Sequence, residues 1–155
     1  MMSNDSTYML KAIDLAEKAG AVGEIPIGSV IVQNDKIIGE GFNSPIKNSD
    51  PSAHAELIAI RKAAKAMCNY RLPEATLYTT LEPCAMCAGA IVLARIKRVV
   101  IGARDKKAGA AGSVLDVIPN SKLNHKPEII FGVCSDECSK LLTEFFAKLR
   151  QGSEL

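Results

Sequence analysis

Strand-like and helix-like segments alternate along this chain of 155 residues, and the alternation restricts its fold more than any other feature. Runs rich in β-branched and apolar residues predict five strands, at residues 27–32, 36–42, 76–81, 98–103 and 128–133. Apolar residues at helical spacing predict four helices, at residues 8–19, 50–66, 84–95 and 135–149. Helices placed between strands cover both faces of a sheet. The pattern therefore predicts one α/β domain over residues 1–155, with three α/β/α layers, a five-stranded mixed sheet and a polar tail from about residue 151.

The connections between the strands predict how they pair. Asn34-Asp35 suits a hairpin turn between the first two strands. Residues 104–127 separate the fourth and fifth strands, and so long a connection favours a crossover between parallel strands. Within it, residues 113–118 predict a short helix, whereas residues 43–50 predict a loop.

Two short motifs stand near the starts of the second and third predicted helices. They are His54-Ala55-Glu56 and Pro83-Cys84-Ala85-Met86-Cys87. The spacing of Cys84 and Cys87 places both thiols on one side of a first helical turn. A helix N-terminus favours the thiolate form that binds a metal. Together with an imidazole nitrogen from His54, the two thiolates make a ligand set that zinc prefers.

Three protein ligands leave the fourth tetrahedral position of zinc open to water, as in catalytic sites. Glu56 lies two residues after His54, where its carboxylate can take a proton from such a water without binding the metal. A closed structural site completed by Cys134, Cys138 or His125 is an alternative, and it leaves Glu56 without a role. Cys-x-x-Cys by itself also occurs in redox pairs and zinc ribbons.

The cysteine count and the first residues indicate where the protein resides. Five cysteines are an odd number for a disulfide framework, and the start, Met-Met-Ser-Asn-Asp-Ser, lacks the basic and apolar regions of a signal peptide. A reducing, cytoplasmic location is therefore expected. The apolar run at residues 85–94 is shorter than the roughly 20 residues of a membrane span, so no membrane partner is predicted. The cysteines outside the motif are predicted to pack in the interior: Cys68, Cys134 and Cys138.

Charge is unevenly distributed along the chain, although the net charge is only +2. Residues 1–60 carry four Lys or Arg and eight Asp or Glu, whereas residues 61–155 carry fifteen and nine. The densest basic stretch contains Arg95, Lys97, Arg98, Arg104, Lys106 and Lys107. Such a stretch is typical of a solvated surface, and it also suits an anionic substrate such as nucleic acid.

The order His-x-Glu followed by Pro-Cys-x-x-Cys resembles the signature of the zinc-dependent cytidine and nucleotide deaminases. Further segments between about residues 6 and 150 resemble the bacterial tRNA-specific adenosine deaminases, at residues 24–28, 41–43, 53–56, 69–72, 81–90, 109–113, 124–125 and 145–146. The resemblance implies a cytidine-deaminase-like fold. It also implies a homodimer that converts the wobble adenosine of a tRNA anticodon stem-loop to inosine. A deaminase of free purine or pyrimidine bases or nucleosides, and a non-catalytic zinc module, are the alternatives.

The resemblance also implies roles for individual residues. It makes His54, Cys84 and Cys87 the ligands of one Zn²⁺ per subunit and Glu56 the proton shuttle. It further implies that Asn43 contacts the target adenosine, Asp105 a neighbouring nucleotide, and Phe145 the splayed loop bases. From the basic stretch, Arg104, Lys106 and Lys107 are expected to meet phosphates. A residue with the helical spacing of Phe145 also suits a core position, and Asn43 also suits a turn.

Overall fold

The computed structural model describes residues 4–120 and 122–153, which form five strands and five helices. The strands are β1 (Gly28–Gln33), β2 (Lys36–Phe42), β3 (Thr76–Leu81), β4 (Arg98–Ala103) and β5 (Glu128–Phe131). The helices are α1 (Asn4–Ala21), α2 (Pro45–Asn48), α3 (Ala55–Met67), α4 (Ala85–Leu93) and α5 (Ser135–Ser153). In the part of the chain so described, no helix has the length and apolar character needed to cross a bilayer.

The strands form one mixed sheet in the order β2-β1-β3-β4-β5. Strand β1 pairs antiparallel with both β2 and β3, and Asn34 and Asp35 adopt positive φ in the hairpin between the first two strands. The pairs β3–β4 and β4–β5 are parallel. The predicted mixed sheet with parallel fourth and fifth strands is thereby confirmed.

Helices cover both faces of the sheet. Neighbouring residues of a strand point to opposite sides, so each face carries apolar side chains that pack against helices. Ile31 and Leu77 pack in a cluster with residues of α3 and α4, whereas Val30 and Tyr78 pack with residues of α1 and α5. On β2, Gly41 allows the first turn of α3 to approach closely, since a Cβ there would collide with the backbone of that turn. The start of α3 is thus held against the end of β2.

Several local predictions differ from the structure. Residues 43–50 include α2, whose first amides are bound by the Glu24 carboxylate. Helix α3 begins at Ala55 rather than at residue 50, because the Asp50 side chain instead accepts hydrogen bonds from the amide and hydroxyl of Ser52. Strand β5 ends at Phe131 rather than at residue 133, since Gly132 has a φ of 90°.

The predicted helix at residues 113–118 is wrong. The segment forms turns and a bridge between Ala111 and Asp116. The amides of Val114 and Leu115 donate to the carbonyl oxygen of Gly109, which holds the chain in a tight turn. Further along the chain, α5 continues to Ser153, into the first residues of the predicted tail, and residues 154–155 lie outside the described part.

The cysteines outside the motif lie in three different environments. Cys138 is buried against the sheet as predicted, and Cys134 is half-buried. The prediction that Cys68 packs in the interior is wrong, because this residue is exposed. It is the C-cap of α3, with a φ of 51°, and its amide donates back to the carbonyl oxygens of the last helical turn. This left-handed turn ends the helix and leaves the thiol in solvent.

Candidate active site

Three potential metal ligands meet where α3 and α4 begin. His54 is the N-cap residue of α3, Cys84 is the N-cap residue of α4, and Cys87 follows in the first turn of α4. Neither N-cap side chain makes the usual bond to its own helix, so the imidazole and the thiol are available to a ligand. Both helices begin at one edge of the sheet, after the carboxyl ends of β2 and β3, the usual place for ligands in α/β folds.

The distances between these atoms suit tetrahedral zinc. The Nδ1 atom of His54 lies 3.6 Å from Sγ of Cys84 and 3.5 Å from Sγ of Cys87. Bonds of about 2.3 Å to sulfur and 2.0 Å to nitrogen separate two tetrahedral ligands by about 3.5 Å. One nitrogen and two sulfurs therefore stand where a zinc ion would hold them.

The electrostatics of the cluster also suit a cation. Hydrogen bonds from Cys87 and His54 lower the pKa of the Cys84 thiol to about 3. The pKa of His54 is raised, chiefly by its hydrogen bond with Cys84. Contact with Cys84, followed by burial, raises the pKa of Cys87, because a second negative charge beside the first is unfavourable without a cation. A divalent ion can compensate both thiolates.

The other candidate ligands lie apart from this cluster. Among the described residues, His54, Cys84 and Cys87 are the one group of three or more His, Cys, Asp or Glu that could hold a metal ion. His125 instead places Nε2 2.6 Å from the carbonyl oxygen of Ile96, and Cys138 is in the core. Three ligands from protein leave a fourth position for water, as in catalytic zinc sites.

Glu56 lies in the first turn of α3, beside the metal-ligand cluster. Its side chain lines the same cavity as His54 and Cys84, although the residue is only 4% exposed. This burial raises the pKa of the carboxyl group to about 7. A carboxyl group with such a pKa can both accept and release a proton near neutral pH.

The cavity above the cluster has a volume of about 690 Å³ and is large enough for a nucleobase with its sugar. Five of the predicted substrate-contact residues line it: Asn43, Arg104, Asp105, Lys106 and Lys107. Phe145 is half-buried and does not line the cavity, whereas Phe146 does. The two rings pack edge to face with centroids 5.5 Å apart.

Two of these polar side chains also bind backbone amides. Oδ1 of Asn43 accepts a hydrogen bond of 2.9 Å from the amide of Ala55, joining the end of β2 to the first turn of α3. Oδ1 of Asp105 accepts from the amides of Lys107 and Ala108 at 3.0 and 3.2 Å. Both side chains therefore shape the cavity wall as well as facing its interior.

Two further residues shape the cavity wall: Arg104, which the sequence predicts to meet phosphate, and Glu82, to which no sequence pattern assigns a role. Arg104 places its guanidinium carbon 3.7 Å from the ring centroid of Phe131, which directs a fixed positive charge along the wall. Glu82 is buried and accepts hydrogen bonds from the segment that carries Asp105. The one available signal for Glu82 was its position between β3 and Pro83-Cys84.

Comparison with known proteins identifies the family. The cytidine and deoxycytidylate deaminase zinc-binding region matches residues 2–103. A tRNA-specific adenosine deaminase of Haemophilus influenzae is 52% identical over 152 residues, which cover 97% of this chain and 88% of that protein. The corresponding protein of Bacillus subtilis is 45% identical over 150 residues, covering 97% and 93%.

Solved structures agree with this relationship. One from a study of A-to-I editing by tRNA:A34 deaminases at the wobble position superposes with a TM-score of 0.85 at 40% identity, covering 88% of this chain and 99% of that one. A guanine deaminase of Nitrosomonas europaea superposes with a TM-score of 0.81 at 21% identity, covering 95% and 86%, and shares the fold. The chain thus belongs to the tRNA-specific adenosine deaminases, within the zinc-dependent cytidine and deoxycytidylate deaminase family.

Proposed function

We propose that the protein hydrolyses adenosine to inosine at the wobble position of a tRNA anticodon. The observation that carries the proposal is the placement of the buried Glu56 beside the His54, Cys84 and Cys87 cluster, at a cavity bordered by basic residues. Zinc-dependent nucleobase deaminases use this combination of a three-ligand metal and a carboxylate outside the coordination sphere. The full-length similarity to tRNA-specific adenosine deaminases supports the choice of substrate.

Each residue then has a defined part in the reaction. His54, Cys84 and Cys87 hold the zinc ion, which lowers the pKa of a water molecule when it is bound. Glu56 accepts a proton from the attacking water and delivers it to the ring nitrogen beside C6 of the adenine. Glu56 then takes the proton of the hydroxyl group now on C6 and passes it to the departing amine as the carbon–nitrogen bond breaks, which leaves a carbonyl group at C6. Water and adenosine are consumed, and inosine and ammonia are formed.

The remaining walls of the cavity supply the contacts to RNA. We assign Asn43 to the target base and Asp105 to a neighbouring nucleotide, and we assign Lys106 to phosphate, because its side chain is exposed at the mouth. Phe145 supports Phe146, and the pair offers an aromatic surface for an unstacked base. A loop nucleotide suits such a cavity because it costs less to extrude than a paired one.

The substrate assignment is tested by incubating the zinc-loaded protein with a tRNA anticodon stem-loop that carries adenosine at the wobble position. Sequencing is expected to show inosine at that position and no change at other adenosines. Free adenine, guanine, cytosine and their nucleosides, assayed in parallel for ammonia, are expected to react at least about 100-fold more slowly in kcat/KM, because they lack the RNA contacts. Faster turnover of a free base would instead assign the cavity to a free-base deaminase.

We also propose that the protein is a homodimer, on the evidence of α4. This helix consists of apolar residues and glycine around its whole circumference, without a charged residue. Helices of this composition are normally buried on all sides. Here Met86 and Leu93 remain 40% and 70% exposed. A second copy of the chain can cover this surface without leaving a polar group unpaired.

Light scattering is expected to give twice the 16.6 kDa mass of one chain. Leu93→Glu should shift the protein to the monomer, because it places a charge in the contact. Val22→Glu changes an exposed apolar residue beyond the end of α1 and should leave the dimer intact. A monomeric parent protein, or a dimer that tolerates Leu93→Glu, would contradict the use of this surface. The cytoplasmic location stays a prediction.

A further inference from the structure

One wall of the cavity is a segment without regular secondary structure. Residues 104–113 leave the end of β4, and Lys106, Lys107 and Ala108 are exposed at the mouth of the cavity. The Asp105 side chain stabilises the turn locally by binding the amides of residues 107 and 108. Such bonds shape a turn but do not fix its place relative to the rest of the site, so the segment needs an external anchor.

Glu82 provides this anchor. Its Oε1 accepts from the amide of Asp105 at 3.1 Å and from the hydroxyl of Ser113. Its Oε2 accepts from the amides of Ala111 and Ser113 at 3.0 and 3.1 Å. The four acceptor positions of one carboxylate are thus matched by four donors from a single segment. Because Glu82 is only 2% exposed and its oxygens are occupied, it holds the wall without itself binding RNA.

The fit between Glu82 and the segment is close. A Cβ at Gly109 would collide with the Glu82 carboxyl group, so only glycine allows the chain to pass at this point. The next amide, of Ala110, donates to the carbonyl oxygen of Pro83 at 2.8 Å. The segment is therefore fastened to the two residues that immediately precede Cys84, which fixes its position relative to the metal-ligand cluster.

We propose that Glu82 is a positioning residue for the substrate. It sets the segment at residues 104–113 in the shape that receives the anticodon nucleotides, and it does so as a group that only accepts hydrogen bonds. The inference rests on the proposed function, since it assigns the segment to RNA binding. It predicts that changes at Glu82 alter the binding of the stem-loop and leave the chemistry at Glu56 intact.

Glu82→Gln is the informative substitution because it preserves the volume and replaces one acceptor oxygen by an NH₂ group. At the Oε2 position that group would face the amides of Ala111 and Ser113, and at the Oε1 position the amide of Asp105, and it could accept from none of them. Leaving buried donors unpaired in this way is expected to raise KM for the stem-loop by roughly 10- to 100-fold. The value of kcat at saturating substrate should stay within about threefold, with zinc content unchanged.

Two further variants separate this role from simple packing. Glu82→Asp is smaller but keeps an acceptor-only group, so it should bind the stem-loop better than Glu82→Gln does. Packing alone predicts the opposite order, because glutamine is the closer match in volume. Glu74→Gln is the matched control, since Glu74 is exposed and pairs with Lys97 away from the cavity; its KM should equal that of the parent.

Amide hydrogen exchange provides a readout that needs no substrate. In Glu82→Gln, the amides of Asp105, Ala111 and Ser113 should exchange faster than in the parent, while those of β3 and β4 should not. Inactivity of the parent on the stem-loop would refute the proposed function and leave this measurement valid. An unchanged KM and unchanged exchange, or a loss of kcat alone, would overturn the role of Glu82.

If Glu82→Gln does not fold, Gly109→Ala tests the same contact by changing the segment instead of Glu82. The same increase in KM is expected, because the added methyl group would collide with the Glu82 carboxyl group.

Discussion

Glu56→Gln is expected to lower kcat on the anticodon stem-loop by roughly 10²- to 10⁴-fold, the usual contribution of a general acid–base group. Glutamine occupies the volume of the glutamate but can neither take a proton from the attacking water nor return one to the base. Glu56 is not one of the three residues that could hold the metal ion. Zinc content and thermal stability should therefore remain those of the parent. Single-turnover kinetics with metal analysis on the same samples measure both effects.

The controls for this prediction distinguish chemistry from folding. Glu56→Ala should be as inactive as Glu56→Gln, since the carboxylate and not the volume is required. Glu40→Gln is a matched change on β2, where the side chain is exposed, and should retain full activity. Turnover of Glu56→Gln at the rate of the parent would show that another group moves the proton. Loss of zinc from Glu56→Gln would show that the carboxylate is a ligand.

Most of the fold was predictable because the relevant signals are local. The predicted strands at residues 36–42, 76–81 and 98–103 coincide with β2, β3 and β4. Strands β3 and β4 are rich in β-branched and apolar residues and are buried on both faces of the sheet. Strand β2 lies at the edge of the sheet, where Lys36 and Glu40 are exposed, and turn residues mark its ends. The parallel pairing of β4 and β5 followed from the length of their connection.

Local signals were insufficient where distant groups determine the backbone. Residues 113–118 have an acceptable helical pattern, but the amides of Ala111 and Ser113 are bound by Glu82, 29 and 31 positions away. Cys68 follows an amphipathic helix and is predicted to pack inside, whereas a left-handed C-cap turns it outward. In both cases a tertiary contact or a single dihedral angle outweighs the periodicity.

The site shows the same division between local and distant determinants. The cluster of His54, Cys84 and Cys87 depends on two helix starts, and the sequence marks both clearly. Which of two adjacent phenylalanines faces the cavity depends on a rotation of about 100° around α5, and both residues suit an apolar helix face. The structure places Phe146 rather than Phe145 at the cavity. The role of Glu82 was invisible for another reason, since its partners lie 23 to 31 residues away.

Removal of zinc is expected to abolish turnover and to lower the melting temperature by about 10 °C, because the ion joins the starts of two helices that are far apart in sequence. Without the cation, the contact with the Cys84 thiolate and burial raise the pKa of Cys87 and keep it protonated, so the two helix starts lose the bonds to zinc that would join them. Prolonged dialysis against a chelator, followed by calorimetry and the inosine assay, measures both losses.

Restoration and substitution then assign the effect to this cluster. Zn²⁺ should restore activity and stability, whereas Mg²⁺ should not, because a nitrogen and two sulfurs are poor ligands for a hard cation. Cys87→Ala should reproduce the chelated protein, since Cys87 is fully buried at the metal position and no described His, Cys, Asp or Glu joins the group to replace it. Cys68→Ala removes an exposed thiol outside the group and should retain both metal and activity. A Cys87→Ala protein that kept stoichiometric zinc and full turnover would place the metal elsewhere and refute the assigned site.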